Sequence, residues 1–129
     1  MTGEEARRLE ADVALTVMGW TSAERLDGEA RGWPPEIKES EKRWPHGLSF
    51  TRYSESVSLA FSVVEKVCEG DRVKVIINYR KGYAYAAFNK AGVGFGGDIS
   101  LGEYEDEEGN LAVAICRAAL AMVAPEIPF

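Results

Sequence analysis

The fold of this chain has to accommodate one very apolar segment, residues 110–123, with the sequence NLAVAICRAALAMV. Its length and composition predict a core helix of about four turns. The single charge in the segment is Arg117, and two interpretations of it are open. In the first, the Arg117 stem lies over neighbouring alanines at a solvent-exposed edge, or its guanidinium forms a structural ion pair. Alternatively, it faces a cavity and needs an acidic partner or a bound anion, because an unpaired buried charge is costly.

The sequence predicts a second helix over residues 2–18. Thr2 followed by Glu5 is a capping box, and Gly19 supplies a left-handed C-cap, after which Trp20 folds back onto the last turn. One face carries apolar residues at helical spacing: Ala6, Leu9, Val13 and Val17. This helix is therefore expected to cover a core with one face.

A third helix is predicted from Ser54 to about Cys68. Ser54 is the expected N-cap, with Glu55 in the first turn. Apolar residues occupy more than one face of this helix: Val57, Leu59, Phe61, Val63 and Val64. Such breadth predicts packing on more than one side.

Two strands and a tight turn lie between these helices. RVKVIINY, residues 72–79, alternates and is rich in β-branched residues, with Val73, Val75 and Ile77 expected inside. RKG at 80–82 is the turn, YAYAAF at 83–88 the returning strand, and a weak third strand lies near residues 98–101. The acidic residues 103–108 are expected to be a solvated approach to the last helix.

These elements predict an α+β fold. The expected form is a three-layer α/β/α-type sandwich, in which three helices cover a small, mainly antiparallel sheet of 2–4 strands. A small sheet leaves unpaired edges, which favours a homodimer or a higher homo-oligomer.

The chain of 129 residues is expected to form a single domain, 1–129. Residues 21–50 form a long insertion, which Trp33 and Trp44 predict to be ordered. A short helix from Pro34 to Arg43 is a candidate element there. Residues 90–109 are expected to be a glycine-rich and acidic loop. AGVGFGGD, residues 91–98, lacks the Lys-Ser/Thr and the following helix of a phosphate-binding loop, so a mobile loop or bulge is favoured.

Composition excludes several functions. The net charge of −6 argues against binding long nucleic acid. No apolar run is long enough for a membrane span, and the charged start does not resemble a signal peptide. Cys68 and Cys116 are expected to be free thiols in the cytoplasm. His46 is the one histidine, and no nucleophile–base pair or metal-ligand cluster accompanies it, so we expect neither an enzyme nor a metal or other cofactor.

The residues FTRYS, 50–54, are the first candidate for ligand binding. Ser54 would cap a helix whose free amides attract anions, while Arg52 and Tyr53 would supply a charged fork and a ring. The alternative is a simple helix cap with an exposed arginine and a core tyrosine. Further candidate ligand-binding residues are Arg117, Trp20, Trp33, Arg80 and Tyr83.

Three blocks resemble the phage ABA-sandwich domain family of small bacteriophage and prophage proteins: DVALTVMGW at 12–20, YSESVSLAFSVVEKV at 53–67 and AVAICRAALAMV at 112–123. The resemblance implies an α/β/α-layered fold and a phage origin, without an activity or cofactor. The resulting expectation is a non-enzymatic phage protein that binds a small anionic ligand in the cytoplasm of the infected host. A nucleotide that signals in host antiviral defence is the expected ligand. The alternative is an interaction module that blocks a host protein through exposed Trp33 and Trp44.

Overall fold

The computed structural model describes residues 1–23, 31–38, 42, 47–69, 73–90, 92 and 99–123. Over this part of the chain the fold is α+β, with three helices and two small antiparallel sheets. The elements in chain order are α1 (Gly3–Thr16), β1 (Thr21–Ser22), β2 (Arg31–Trp33), β3 (Leu48–Ser49), α2 (Val57–Val67), β4 (Val73–Arg80), β5 (Tyr83–Lys90), β6 (Ile99–Asp106) and α3 (Leu111–Val123). No helix in these ranges is long and apolar enough to span a membrane.

The larger sheet has the strand order β4-β5-β6, and both strand pairs are antiparallel. The predicted hairpin is confirmed: Arg80 pairs with Tyr83 across a two-residue turn. Gly82 has φ of +79°, a value that an L side chain rarely adopts. The third strand was predicted too short, because β6 continues through Asp106. Alternate residues of its acidic run, Glu103 and Glu105, lie on the exposed face of a strand and not in a loop.

The inner face of this sheet packs against α3. The three most buried side chains that β5 contributes to the core are Ala84, Ala86 and Phe88. Val73, Val75 and Ile77 of β4 pack against the same core, as their alternation predicted. Helix α3 contacts β5 and β6 and also contacts α1 and α2, so it is the central element of the core.

Close contact between α3 and β6 depends on Gly102. A Cβ added at this glycine would lie 2.5 Å from the Ala118 carbonyl oxygen and 2.5 Å from the Met122 amide nitrogen. Both atoms belong to the α3 backbone, so a side chain at position 102 would push the helix away from the strand.

The start of α1 agrees with the sequence prediction, whereas the helix ends at Thr16, before the predicted Met18, and its C-cap is Val17 and not Gly19. The Thr2 hydroxyl accepts a hydrogen bond from the Glu5 amide at 3.1 Å, as an N-cap does. Gly19 has φ of +80°, and the amide of Trp20 donates to the Ala14 carbonyl at 3.0 Å. The chain therefore reverses at the predicted place.

The insertion 21–50 contains strands that the sequence did not predict. β1, β2 and β3 form a second antiparallel sheet in which Thr21 pairs with Trp33 and Arg31 pairs with Ser49. The proposed helix after Pro34 is wrong over residues 34–38, where Ile37 donates to the Pro34 carbonyl in a single turn. Residues 39–41 and 43 lie outside the described part of the chain, as do Trp44, His46 and residues 93–98.

Helix α2 starts later than predicted. Its N-cap is Ser56, whose hydroxyl accepts from the Leu59 amide, and not Ser54. Residues 53–55 form a turn in which the Glu55 amide donates to the Arg52 carbonyl, so the helix cannot begin there. Both cysteines are free, as predicted. Cys116 is fully buried, and burial raises the pKa of its thiol to about 12.

Candidate functional site: an arginine-lined cleft around Glu10

A cleft of about 660 Å³ lies between α1 and the small sheet. Its lining comes from α1, from the strands β1 to β3 and from the residues that follow β3. Among the described residues, the charged lining side chains are four arginines and three acids: Arg7, Arg8, Arg31, Arg52, Glu4, Glu10 and Asp12. We call this feature the arginine cleft. Counted over the residues that the structure describes, this lining has one more arginine than acids, although the whole chain is acidic.

Glu10 lies at the base of the cleft and is 1% exposed. Its Oε2 accepts hydrogen bonds from the Ser54 hydroxyl at 2.7 Å and from the Ser54 amide at 3.3 Å. Its Oε1 lies 3.2 Å from Nε of Arg7 and 3.7 Å from Nη1 of Arg52. One carboxylate therefore connects α1 to the segment before α2.

Two opposing effects act on this carboxyl. Burial raises the pKa of Glu10 above its ordinary value, while the Ser54 hydrogen bond and the charge of Arg7 lower it. Burial is the larger effect, so the pKa is raised on balance. Holding the carboxylate in this position is therefore costly, and its four contacts offset part of that cost.

The two arginines that contact Glu10 are held to different degrees. Arg7 also forms an ion pair with Glu55, so its guanidinium joins two carboxylates. Arg52 is 47% exposed at its side chain, and its 3.7 Å separation from Glu10 exceeds hydrogen-bond length. A guanidinium has five donors. Within the described residues, Glu10 therefore leaves most of the Arg52 donors available to a ligand in the cleft.

Arg8 and Asp12 lie one turn apart on the rim of the cleft. Burial raises the pKa of Asp12, and the charge of Arg8 acts in the opposite direction. This is an i,i+4 pair on a helix surface, a spacing at which opposite charges attract weakly. Asp12 therefore restrains Arg8 only weakly.

Of the eight predicted ligand-binding residues, only Arg52 lines the arginine cleft. Ser54 is 3% exposed and lies behind Glu10 as its hydrogen-bond partner, so its predicted role as a cap presenting free amides is wrong. Tyr53 is 4% exposed and belongs to the hydrophobic core, as the alternative interpretation expected.

The two predicted tryptophans do not reach the cleft directly. The half-buried Trp20 ring packs against Phe50 with centroids 5.3 Å apart, and Phe50 is the aromatic residue in the lining. Trp33 is 9% exposed and so cannot serve as the exposed aromatic of an interaction surface. Trp44 lies outside the described residues.

Arg117 lines a different cavity, of about 490 Å³, in which most of the other charged residues are acidic. Its Nη1 donates to the Tyr104 hydroxyl at 2.7 Å, and its guanidinium carbon lies 5.0 Å from the centre of the Tyr104 ring. Its Nε is buried without a hydrogen-bond partner among the described residues. Arg117 is therefore half-buried, held by a phenol and absent from the lining of the arginine cleft.

Arg80 and Tyr83 lie together at the end of the hairpin. The guanidinium carbon of Arg80 is 4.8 Å from the centre of the Tyr83 ring, which is a cation–π contact. Neither residue lines the arginine cleft or the Arg117 cavity. The predicted ligand-binding side chains therefore lie in separate places and do not line one cavity.

Sequence reasoning missed Glu10, Arg7, Arg8 and Arg31. A signal for Glu10 was present, because position 10 is one helical turn from Ala6 and Val13 on the apolar stripe of α1. A carboxylate among apolar residues raises the same question as Arg117 does in α3. The signal is weak because Glu10 is one of several charged residues in α1.

Comparison with known proteins does not add to this picture. No family model, no curated protein and no solved structure matches the chain. Among the described residues, no group of three or more His, Cys, Asp or Glu side chains could hold a metal ion. The chemistry of the arginine cleft is therefore the basis on which a function can be argued.

Proposed function

We propose that this chain is a non-enzymatic binding protein for a small anionic ligand, which it holds in the arginine cleft. The observation that supports this proposal is the convergence of four arginines from three separate segments on one cleft. Guanidinium groups bind phosphate and carboxylate oxygens through pairs of parallel hydrogen bonds. Phosphate-bearing molecules are therefore the ligand class that we expect.

The buried carboxylate has a positioning role in this proposal. Glu10 is almost fully buried; it holds the guanidinium of Arg7 at 3.2 Å and attracts that of Arg52 from 3.7 Å. Preorganised donors lose less conformational entropy when the ligand arrives. Phe50 supplies an apolar surface in the same lining, which suits a ligand that carries a flat ring beside its charge.

The resemblance of three sequence blocks to the phage ABA-sandwich family extends the proposal. On that resemblance the chain has the α/β/α layering of the family and acts in an infected bacterial cell. It would act there by sequestering a nucleotide signal of antiviral defence. A nucleotide combines the phosphate and the ring that the cleft lining favours. The cleft itself supports only the ligand class, and the biological role depends on the resemblance.

Isothermal titration with inorganic pyrophosphate and with a panel of linear and cyclic nucleotides tests the proposal. We expect binding of at least one panel member, with affinity that falls as salt is added. Arg52→Gln should weaken that binding about tenfold, the loss expected for one charge-assisted hydrogen bond. Arg80→Gln is the matched control, because Arg80 is an exposed arginine outside the cleft.

Two results would overturn the proposal. The first is the absence of heat with every panel member in a sample that circular dichroism shows to be folded. The second is an equal loss of affinity in Arg52→Gln and Arg80→Gln, which would indicate attraction to overall charge instead of a site.

A further inference from the structure

Leu15 is an apolar residue of α1 that lies outside the hydrophobic core. The buried face of this helix includes Leu9 and Val13, whereas Leu15 is 40% exposed. Leu15 nevertheless belongs to the lining of the arginine cleft, together with Ala11 of the same helix. A ligand that covers an exposed leucine removes apolar area from water, which is favourable. This part of the cleft therefore suits an apolar group.

The cationic part of the cleft is centred on Glu10. Arg7 and Arg52 both approach its Oε1 atom, at 3.2 Å and 3.7 Å. Because the two guanidiniums lie around one oxygen, they are close enough together to contact one anionic group of a ligand. Leu15 is eight residues after Arg7, which corresponds to about 12 Å along the axis of α1. The arginine pair and the leucine therefore lie at different ends of the lining.

The small sheet forms the other wall of the cleft beside Leu15. The Trp20 amide donates to the Ala14 carbonyl at 3.0 Å, so β1 begins next to the last turn of α1. Ser22 of β1 and Ala23, which follows it, both line the cleft. The apolar end of the lining is therefore built from the end of α1 and the start of the small sheet.

Phe50 adds an aromatic ring to the same end of the lining. Its ring packs against Trp20, which directly follows the turn that ends α1. It also lies against β2, because a Cβ added at Gly32 would be 2.6 Å from Cε1 of Phe50. Packing on both sides holds the ring in one orientation. Phe50 is therefore a fixed surface near Leu15.

Hydrogen-bond donors accompany this apolar surface. Arg31 of β2 lies opposite Ser49 of β3, and its carbonyl accepts from the Ala23 amide at 2.9 Å. The side chains of Ser22, Arg31 and Ser49 all line the cleft. A nucleobase has a flat apolar face and acceptors along its edge, so it can contact both kinds of group. An aliphatic chain would cover the serine hydroxyls without replacing their hydrogen bonds to water, which is costly.

We propose that the end of the cleft lined by Leu15 and Phe50 is a subsite for the base of a nucleoside phosphate, whose phosphate group binds Arg7 and Arg52 at the other end. This inference rests on the proposed function and deepens it, because it makes Leu15 the residue that determines specificity for the base. In a nucleotide the sugar separates the base from the phosphate, as the two ends of the lining are separated. The cleft volume of about 660 Å³ is in the range of sites for drug-sized ligands and exceeds the need of a phosphate ion.

Isothermal titration with matched diphosphates tests the subsite. The probes are inorganic pyrophosphate, adenosine and guanosine diphosphate, and geranyl diphosphate, which differ in the group attached to the diphosphate. We expect one of the two nucleotides to bind about tenfold more tightly than pyrophosphate and geranyl diphosphate. Leu15→Ala should weaken binding of that nucleotide about fivefold more than binding of pyrophosphate, because only the base covers Leu15. Leu59→Ala is the matched control, since Leu59 is 38% exposed but lies on α2, outside the lining.

The outcomes separate the base subsite from the anion site of the proposed function. Three results would overturn the subsite: pyrophosphate binding as tightly as both nucleotides, geranyl diphosphate binding as tightly as both, or Leu15→Ala and Leu59→Ala having the same effect. In each case, weaker pyrophosphate binding by Arg52→Gln would still support the anion site. If no probe binds a protein that circular dichroism shows to be folded, both proposals are overturned.

Discussion

Glu10 in α1 and Arg117 in α3 are both charged residues on apolar helix faces, yet their burial and their contacts differ. Glu10 is 1% exposed and has contacts to Arg7, Arg52 and Ser54. Arg117 is half-buried, and its hydrogen-bond partner among the described residues is Tyr104, with Nε left without one. The carboxylate joins separate segments of the chain, whereas the guanidinium joins one helix to the strand beside it.

The difference follows from side-chain length. A glutamate on a buried face cannot reach water, so the protein must bring partners to it. Here a hydroxyl and an amide donate hydrogen bonds, and two guanidiniums lie within ion-pair distance. An arginine can extend its stem along neighbouring alanines and keep part of its head in solvent. A short buried charge therefore determines the geometry of its surroundings more strongly than a long one.

The largest expected effect is that of Glu10→Ala. The substitution leaves the buried amide and hydroxyl of Ser54 without their acceptor and empties the base of the cleft, at a cost of about 3 kcal/mol in the free energy of unfolding. Arg7 and Arg52 are partly exposed and regain water, so they add little. Urea unfolding measures the loss, with Glu4→Ala, in the exposed first turn of α1, as the control. The control should cost less than about 1 kcal/mol, and equal losses would contradict this account of Glu10.

A smaller effect is expected from Tyr104→Phe. It removes the hydroxyl that accepts from Nη1 of Arg117 but keeps the ring under the guanidinium. Because Arg117 can turn towards water, we expect a loss of about 1 kcal/mol. Tyr79→Phe at an exposed hydroxyl is the control and should leave stability unchanged. A Tyr104→Phe loss as large as that of Glu10→Ala would remove the contrast between the two charges.

The smallest expected effect is on pH dependence. Burial raises the pKa of Glu10 above its ordinary 4.5, so the native state binds more protons than the unfolded state at pH values between the two. The contribution of Glu10 to stability therefore falls as pH rises through that interval and is constant above it. Glu10→Gln lacks this titration. Unfolding of both proteins between about pH 4 and pH 7 should show the stability of the wild type falling relative to that of the variant. A relative rise would mean that Arg7 and Arg52 outweigh burial.

The parts of the fold that local signals determine were predictable. The Thr2 cap, the Gly19 turn and the hairpin at Gly82 each depend on a few adjacent residues. The start of α2 was not predictable, because Ser54 and Ser56 are both good N-caps. The choice between them depends on the Glu10 carboxylate, 44 positions from Ser54, which binds the Ser54 hydroxyl. Strands of two or three residues, such as β1 and β3, are too short to show a period.

The same distinction applies to the candidate site. Arg52 was predicted because it precedes Ser54, the expected helix cap, but its companions come from a helix and a strand that local patterns do not bring together. Arg7 and Arg8 belong to a run of charges that resembles ordinary surface. Their convergence depends on how the small sheet sits against α1, which no short-range pattern in the sequence encodes.

The missing side chain at Gly102 also limits how the molecule can move. Because the backbones of β6 and α3 touch there, neither can slide along the other without a collision of main-chain atoms. The pair is therefore expected to behave as one rigid unit, with amide hydrogens that exchange slowly with solvent. A rearrangement that opens the arginine cleft would then have to move α1 or the small sheet relative to the rigid unit of β6 and α3.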